Sequence, residues 1–325
     1  MVITAGVDLG GTKIQAAVMR GRRVVGQARR PTPQTGAGEV IAAMADLVME
    51  SLALARVAAG ELGAVGVGTP GIVDSDTGAV SRAANVPGFE EGVLLGPELS
   101  RLLGDVPVRV DNDVRAAVVG EHRLGAGRSY SDLLGVFVGT GVGGGLVLGG
   151  RLRRGLGAAG EIGHAVVQPD GRRCSCGRRG CLEAYAGRQG IERQARKRQA
   201  AGTRTVLFQT MEKMGRDRLT SGVIAQALKE GDDLAHELIE DAVKALGVAL
   251  ASAQNLLDMQ AIVLGGGLAD KLGPEFVERV EKAMKPHIFA EHPTAPVLPT
   301  GLGDLSGAVG AAISVASIGV ARPRP

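Results

Sequence analysis

One pattern limits this 325-residue chain more than any other, because it occurs twice. Residues 2–8 are apolar and strand-like, Gly10-Gly11-Thr12 makes a turn, and residues 14–19 form a returning strand. A basic turn then leads to a third strand at residues 23–27. About 130 residues later the sequence does the same again. Residues 133–138 are an apolar strand, Gly139-Thr140-Gly141 the turn, residues 144–148 the return, and Gly149-Gly150 the next turn. Two copies of strand, Gly/Thr turn and strand predict two related α/β halves.

Helical segments follow each copy. Residues 39–56 carry apolar side chains at helical spacing, and residues 111–124 open on Asp and Asn, good N-cap residues. The clearest helix spans 234–257, with Leu234, Leu238, Ala242, Leu246, Leu250 and Ala253 on one stripe and Asp232 or Asp233 as cap. A buried strand at 261–264 runs into Gly265-Gly266-Gly267. A last apolar helix near 308–316 precedes a Pro/Arg tail expected to be disordered.

The length suffices for two domains, each with its own core. With no Trp and 2% aromatic residues, those cores must be built from Val, Leu, Ile and Ala, and aromatic stacking on nucleic-acid bases is disfavoured. Net charge is only +3, and the basic clusters at Arg20, Arg22 and Arg23 and at residues 193–198 are short. They read as solvated faces, so no nucleic-acid partner is expected. No stretch approaches the ~18 apolar residues that a membrane span needs. The N-terminal residues lack the series that makes a secretory leader, so no membrane partner and a cytoplasmic location are expected. Three cysteines confined to 174–181 are poor material for a disulfide framework.

Glycine and threonine turns between strands expose successive backbone N–H groups, which suits an anion, and a Thr hydroxyl adds a donor. Gly10, Gly11 and Thr12, and then Gly139, Thr140 and Gly141, are therefore candidate phosphate-binding turns. Asp8 ends the first strand, where a carboxylate can hold Mg²⁺ through water. The third turn, Gly265 to Gly267, lets backbone approach an adenine ring. Taken singly, each turn reads equally well as a plain hairpin. The G-x-G-x-x-G patterns at Gly66, Gly68 and Gly71 and at Gly139, Gly141 and Gly144 do not open helices, so neither is a dinucleotide fingerprint. No G-x-x-x-x-G-K-[ST] run exists.

His164 precedes Cys174, Cys176 and Cys181, a donor set that suits a tetrahedral structural Zn²⁺ site. Gly177 and Gly180 allow the chain reversal it needs, and Arg172, Arg173, Arg178 and Arg179 are near enough to offset the net charge of three thiolates on the metal. The alternative is three free thiols and an unrelated His. Such a loop would also hold Glu161 and Glu183 in place, carboxylates of the kind that grip adjacent sugar hydroxyls. If one ring nitrogen of His164 binds zinc, the other is left for a ligand. Asp111-Asn112-Asp113 follows a strand at 106–110. Asp113 there is a candidate base and Asn112 a hydroxyl ligand, but locally the run reads more readily as a helix N-cap.

Assembled, these residues resemble the ROK family (repressors, open reading frames and sugar kinases), and within it the bacterial glucokinases. The likeness covers nearly the whole chain. Residues 8–13 are similar to the family's first phosphate motif, 139–145 to its second and 264–267 to its adenosine motif. Residues 160–164 with 174–183 are similar to its zinc and sugar signature, Asn112-Asp113 to its catalytic pair, and residues 69–74 and 85–88 to its sugar-side loops. The resemblance implies a duplicated actin-like ATPase (ribonuclease H-like) α/β fold, two domains around a cleft. The smaller domain would comprise residues 1–112 plus about 304–325, and the larger, zinc-bearing one residues 113–303.

It also implies ATP-dependent phosphorylation of glucose at the 6-hydroxyl with Mg²⁺, Asp113 being the general base. Asn85, Asn112, Glu161, His164 and Glu183 would bind the sugar, and Asp8, Lys13 and the three glycine turns the nucleotide. Zinc would be structural, and family members are commonly homodimers or homotetramers. The rivals are a kinase for mannose, fructose, N-acetylmannosamine or N-acetylglucosamine, polyphosphate as donor, and a non-catalytic sugar sensor. A repressor of the family would carry a helix-turn-helix module before the first phosphate motif, which here begins at Asp8.

Overall fold

The computed structural model describes residues 2–83, 85–289 and 294–316. The expected Pro/Arg tail lies outside the described residues. The chain divides into two compact units, one of residues 1–128 with 304–325 and one of residues 129–303.

The first unit contains β1 (Ile3–Leu9), β2 (Lys13–Arg20), β3 (Arg23–Pro31), α1 (Ala37–Leu54) and β4 (Leu62–Thr69). A small hairpin of β5 (Ile72–Asp74) and β6 (Ala79–Ser81) follows, then α2 (Leu95–Leu102), β7 (Val108–Asn112) and α3 (Asp113–Arg123). Its sheet has the order β3-β2-β1-β4-β7, the first three strands antiparallel and the last two parallel to β1.

The second unit contains β8 (Leu133–Val138), β9 (Val142–Leu148), β10 (Arg151–Arg153), α4 (Glu183–Ala186), α5 (Arg188–Ala200), α6 (Leu207–Lys213) and α7 (Ser221–Lys229). It continues with α8 (Asp233–Leu257), β11 (Ala261–Gly265), α9 (Gly267–Leu272), α10 (Pro274–Met284) and β12 (Val297–Pro299). The sheet order β10-β9-β8-β11-β12 repeats that of the first unit, with the same strand directions. The twofold pattern in the sequence is therefore a twofold repeat of a mixed α/β sheet, as the actin-like ATPase fold requires.

Central strands β1 and β4 are buried along nearly their whole length and are mostly apolar, both faces being covered. In the first unit α1 covers one face, and α11 (Ser306–Ser314), returning from the far end of the chain, packs on β1, β4 and α3. The composition of α11 explains how closely it sits. A Cβ on Gly6 or Gly66 of the sheet would overlap the backbone oxygens of Ala308 and Ala311, and one on Gly310 would overlap that of Ala116 in α3. Helix α3 thereby belongs to the first unit, which ends after Arg128 rather than at the 112/113 boundary read from sequence. In the second unit the core gathers around α8, whose N-cap is Asp232: its Oδ1 accepts from the Ala235 N–H at 2.7 Å.

Candidate active site

Each unit presents its glycine turn at the same place, between the first two strands of its sheet. In the first, every carbonyl of the turn has a partner. The Thr32 hydroxyl donates to Gly10 O (2.6 Å), Gln34 Nε2 to Gly11 O (3.3 Å) and the Thr32 N–H to Thr12 O (3.1 Å). The Gly10 N–H is spent on Lys13 O at 3.0 Å. The N–H groups of Gly11 and Thr12 have no protein acceptor among the described residues.

The second turn follows the same plan with different partners. The N–H groups of Arg188 and Gln189, at the start of α5, donate to Gly139 O and Thr140 O, both at 3.1 Å. The Gly139 N–H goes to Gly141 O at 2.9 Å and the Val142 N–H to Glu183 Oε2 at 3.1 Å. That leaves Thr140 and Gly141 with unspent N–H groups among the described residues. Two turns whose carbonyls are tied off and whose amides are not leave donors that suit an anion.

Around the first turn stand the acids. Asp8 of β1, Gly68 of β4 and Asp111 of β7 lie in one register row across the parallel strands, with Asn112 opposite Thr69 one step on. Gly68 has no side chain, and a Cβ there would press on the Asp113 Cα at 3.2 Å. Burial, and next the nearby Asp113 carboxylate, push the Asp8 carboxyl up to about 7 against the pull of Lys13. Gly307, in the first turn of α11, lies directly against the Asp8 carboxylate. Lys13 Nζ pairs with Asp304 Oδ2 at 2.9 Å.

Strand β7 runs on through Asp111 and Asn112, two residues past the end expected from sequence, because Gly68 and Thr69 pair with them. Asn112 is then the N-cap of α3, its Oδ1 accepting from the Arg115 N–H at 3.1 Å. Its amide NH₂ is left for a ligand. Asp113 is the first helical residue and part-exposed. Asp111 is buried and faces Arg115 Nη1 at 3.8 Å. Asn85 is exposed, and its backbone lies on Gly11 so closely that a Cβ there would overlap it.

In the second unit the donor atoms of His164, Cys174, Cys176 and Cys181 lie within 4.8 Å of one another. Cys176 Sγ is 3.7 Å from Cys181 Sγ, and Cys174 Sγ is 3.9 Å from His164 Nδ1. A tetrahedron with Zn–S bonds of ~2.3 Å has S···S edges of roughly 3.8 Å, so the four donors fit that ion. Gly177 and Gly180 both take positive φ, as the reversal requires. Of the four arginines expected to offset the thiolates, Arg178 does so, and its hydrogen bond holds the Cys176 thiol down to about 6. Burial pushes Cys181 up to about 12. Arg172 instead pairs with Asp241 of α8 and stacks on Tyr185, and Arg179 donates to Gly171 O.

Glu183 joins the Cys/His loop to the turn. Its Oε1 accepts from the Ser175 hydroxyl at 2.7 Å while Oε2 holds the Val142 N–H. Glu161 is exposed at the start of a short 3₁₀ turn containing His164. The third glycine turn ends β11: Gly266 has φ of 88° and packs on Val138, and Gly267 opens α9. Arg188, whose guanidinium donates to Thr140 Oγ1 at 2.8 Å, was not legible in the sequence, where it is one of many arginines.

A repeated α/β sheet, paired donor turns and a four-donor Cys/His loop define a distinct class of two-unit protein. The chain belongs to the ROK family, whose sequence profile matches residues 4–317. It is 33% identical over 317 residues to the glucokinase of Streptomyces coelicolor, covering 96% of this chain and 97% of that one. It is 34% identical to the N-acetyl-D-glucosamine kinase of Pectobacterium atrosepticum, over 82% and 84% of the two chains. Among solved structures it resembles a ROK-family glucokinase from Streptomyces griseus in complex with glucose and AMPPNP. The TM-score is 0.80 and identity 34%, over 96% of this chain and 98% of that one. No helix among the described residues is long and apolar enough to cross a membrane.

Proposed function

We propose that this chain is an ATP-dependent glucokinase that transfers the γ-phosphoryl group of Mg·ATP to the 6-hydroxyl of glucose. The observation that carries this reading is the pair of equivalent turns with capped carbonyls and unspent N–H groups, each in the same place in its half. Phosphoryl transfer asks mainly for positioning and charge neutralisation, with one base to take the hydroxyl proton. Asp113 is that base, part-exposed at the first turn of α3. Asp8 would hold Mg²⁺, whose positive charge there would favour the ionised Asp8 carboxylate.

Gly10 to Lys13 and Gly139 to Gly141 take phosphate oxygens, and Gly265 to Gly267 the adenosine. Asn85, the Asn112 amide, Glu161, Glu183 and the Nε2 edge of His164 take sugar hydroxyls. Glu183 keeps lone pairs for this beyond the two it spends on Ser175 and Val142. His164, Cys174, Cys176 and Cys181 would hold zinc, which with four protein donors would supply a rigid cross-link rather than a reacting water. The active form is a cytoplasmic homodimer or homotetramer.

A second reading, a kinase for N-acetylglucosamine, is favoured by the similar identity to such an enzyme. A coupled ADP-release assay over a panel of hexoses and N-acetylhexosamines, repeated with polyphosphate in place of ATP, separates the two. Turnover on glucose with ATP is expected; turnover confined to an amino sugar would replace the first reading with the second. Asp113→Asn should lower kcat by ~10³-fold or more and leave glucose affinity largely intact. Equal loss of both would refute the base role.

A further inference from the structure

Arg188 is placed against the second glycine turn and makes no direct ion pair among the described residues, although the charge of Glu192 acts on it. Gly187, just before it, lets α5 approach the turn: a Cβ there would sit 3.2 Å from the Gly141 Cα. The guanidinium reaches Thr140 Oγ1 with Nη2 at 2.8 Å, and its Nε is buried with no acceptor among the described residues. The acid one helical turn on, Glu192, is engaged elsewhere. Its Oε1 accepts from Arg196 Nη2 at 2.6 Å and Nε at 3.0 Å, and its Oε2 from the Leu219 N–H at 3.1 Å. Desolvation lowers the Arg188 pKa and outweighs the Glu192 charge, which acts the other way. A partly buried cation in this state gains from an anion brought to it.

The hydrogen bond to Thr140 has a direction. A threonine hydroxyl has one hydrogen to donate and lone pairs that accept. When Arg188 fills a lone pair, the hydroxyl hydrogen is left to donate, and a cationic donor polarises that O–H. The Thr140 hydroxyl thus joins the unspent N–H groups of Thr140 and Gly141 as a third donor on the same two residues.

We infer that Arg188 is a positioning residue for the phosphoryl donor: it fixes the Thr140 hydroxyl as a donor to the nucleotide's polyphosphate and places a positive charge beside it. This deepens the kinase reading and rests on it. The inference is specific about the ligand. It concerns the β- and γ-phosphates, and neither the base nor the sugar.

The test uses the full chain and four variants, Arg188→Gln, Arg188→Lys, Thr140→Val and the double variant Arg188→Gln/Thr140→Val. Their KM for ATP, KM for glucose and kcat are measured beside direct binding of ATP, ADP and AMP by calorimetry. Arg188→Gln is expected to raise KM for ATP and weaken ATP and ADP binding by about tenfold or more. AMP binding and KM for glucose should change by less than about twofold, a split that simple loosening of α5 does not produce. Arg188→Lys should recover part of the loss, and the double variant should be little worse than either single one, since the two residues act as a unit.

Wild-type protein that releases ADP with a sugar, combined with Arg188→Gln at unchanged KM for ATP, would overturn this inference and leave the kinase reading intact. So would fully additive losses in the double variant. Wild-type protein that neither binds ATP nor turns over any sugar would remove both. If Arg188→Gln fails to fold, Thr140→Val decides: an unchanged KM for ATP in that variant overturns the inference by itself.

Discussion

Replacing Asp8 by Asn removes a carboxylate whose ionisation opposes folding in the ligand-free protein. The cause is local: burial first, then the Asp113 charge, which together outweigh Lys13 and lift the carboxyl from 3.8 to about 7. The folded state therefore holds a proton that the unfolded chain releases above pH 3.8. Stability from that proton is fully present below 3.8 and is lost as pH rises through about 7. At roughly 1.4 kcal/mol per tenfold change in proton affinity, the whole loss is about 4 kcal/mol. About 2 to 3 kcal/mol of it falls between pH 5 and pH 8.

Asp8→Asn keeps the shape and cannot ionise, so it should escape this loss. Urea unfolding of metal-free, nucleotide-free protein, followed by circular dichroism at both pH values, measures it. The variant is expected to be more stable than wild type by about 4 kcal/mol at pH 8, with a clearly smaller gap at pH 5. Asp113→Asn should flatten the wild-type pH dependence part-way, by removing the second cause. Kinase activity of Asp8→Asn should be nearly abolished, so that stability is gained where function is lost. A variant no more stable than wild type at pH 8, or a gap that ignores pH, would refute this reasoning.

Two further outcomes follow from packing and metal. Gly310→Ala should destabilise the first unit by about 1 to 3 kcal/mol in chemical unfolding, because the new methyl overlaps the Ala116 carbonyl, despite a helix-propensity gain of up to ~1 kcal/mol. Gly38→Ala in α1, where a Cβ meets nothing within 4 Å, is the neutral-to-stabilising control. Elemental analysis should find one zinc per chain, and Cys176→Ser should lose it and weaken glucose binding more than ATP binding, because Glu161, His164 and Glu183 hang on that loop. Full activity and sugar affinity in metal-free protein would contradict the structural role of zinc.

What the sequence disclosed was local. The two turns could be read because glycine and threonine between strands form one contiguous string, and the Cys/His loop because its four donors fall within eighteen residues. The N-cap of α8 was legible to within one residue, as Asp232 or Asp233, and it is Asp232. Other features depend on partners far along the chain. Arg188 gains its meaning from Thr140, forty-eight positions earlier, and Arg172 from Asp241, sixty-nine later, and no motif announces either. The extra length of β7 was hidden because Asp and Asn read as helix caps, whereas pairing with Gly68 and Thr69 keeps Asp111 and Asn112 extended. The place of α3 in the first unit likewise rests on α11, nearly two hundred residues away.

Helix α11 also sets a schedule for biosynthesis. As the ribosome extends the chain, β1 and β4 emerge early, yet at Gly6 and Gly66 their face is left open for residues 306–314, which arrive last. The contiguous stretch 129–303 has every strand of its own sheet before that cover arrives. The later-translated unit can thus finish first, while the nascent N-terminal sheet waits with one face open, the period in which a chaperone has most to protect.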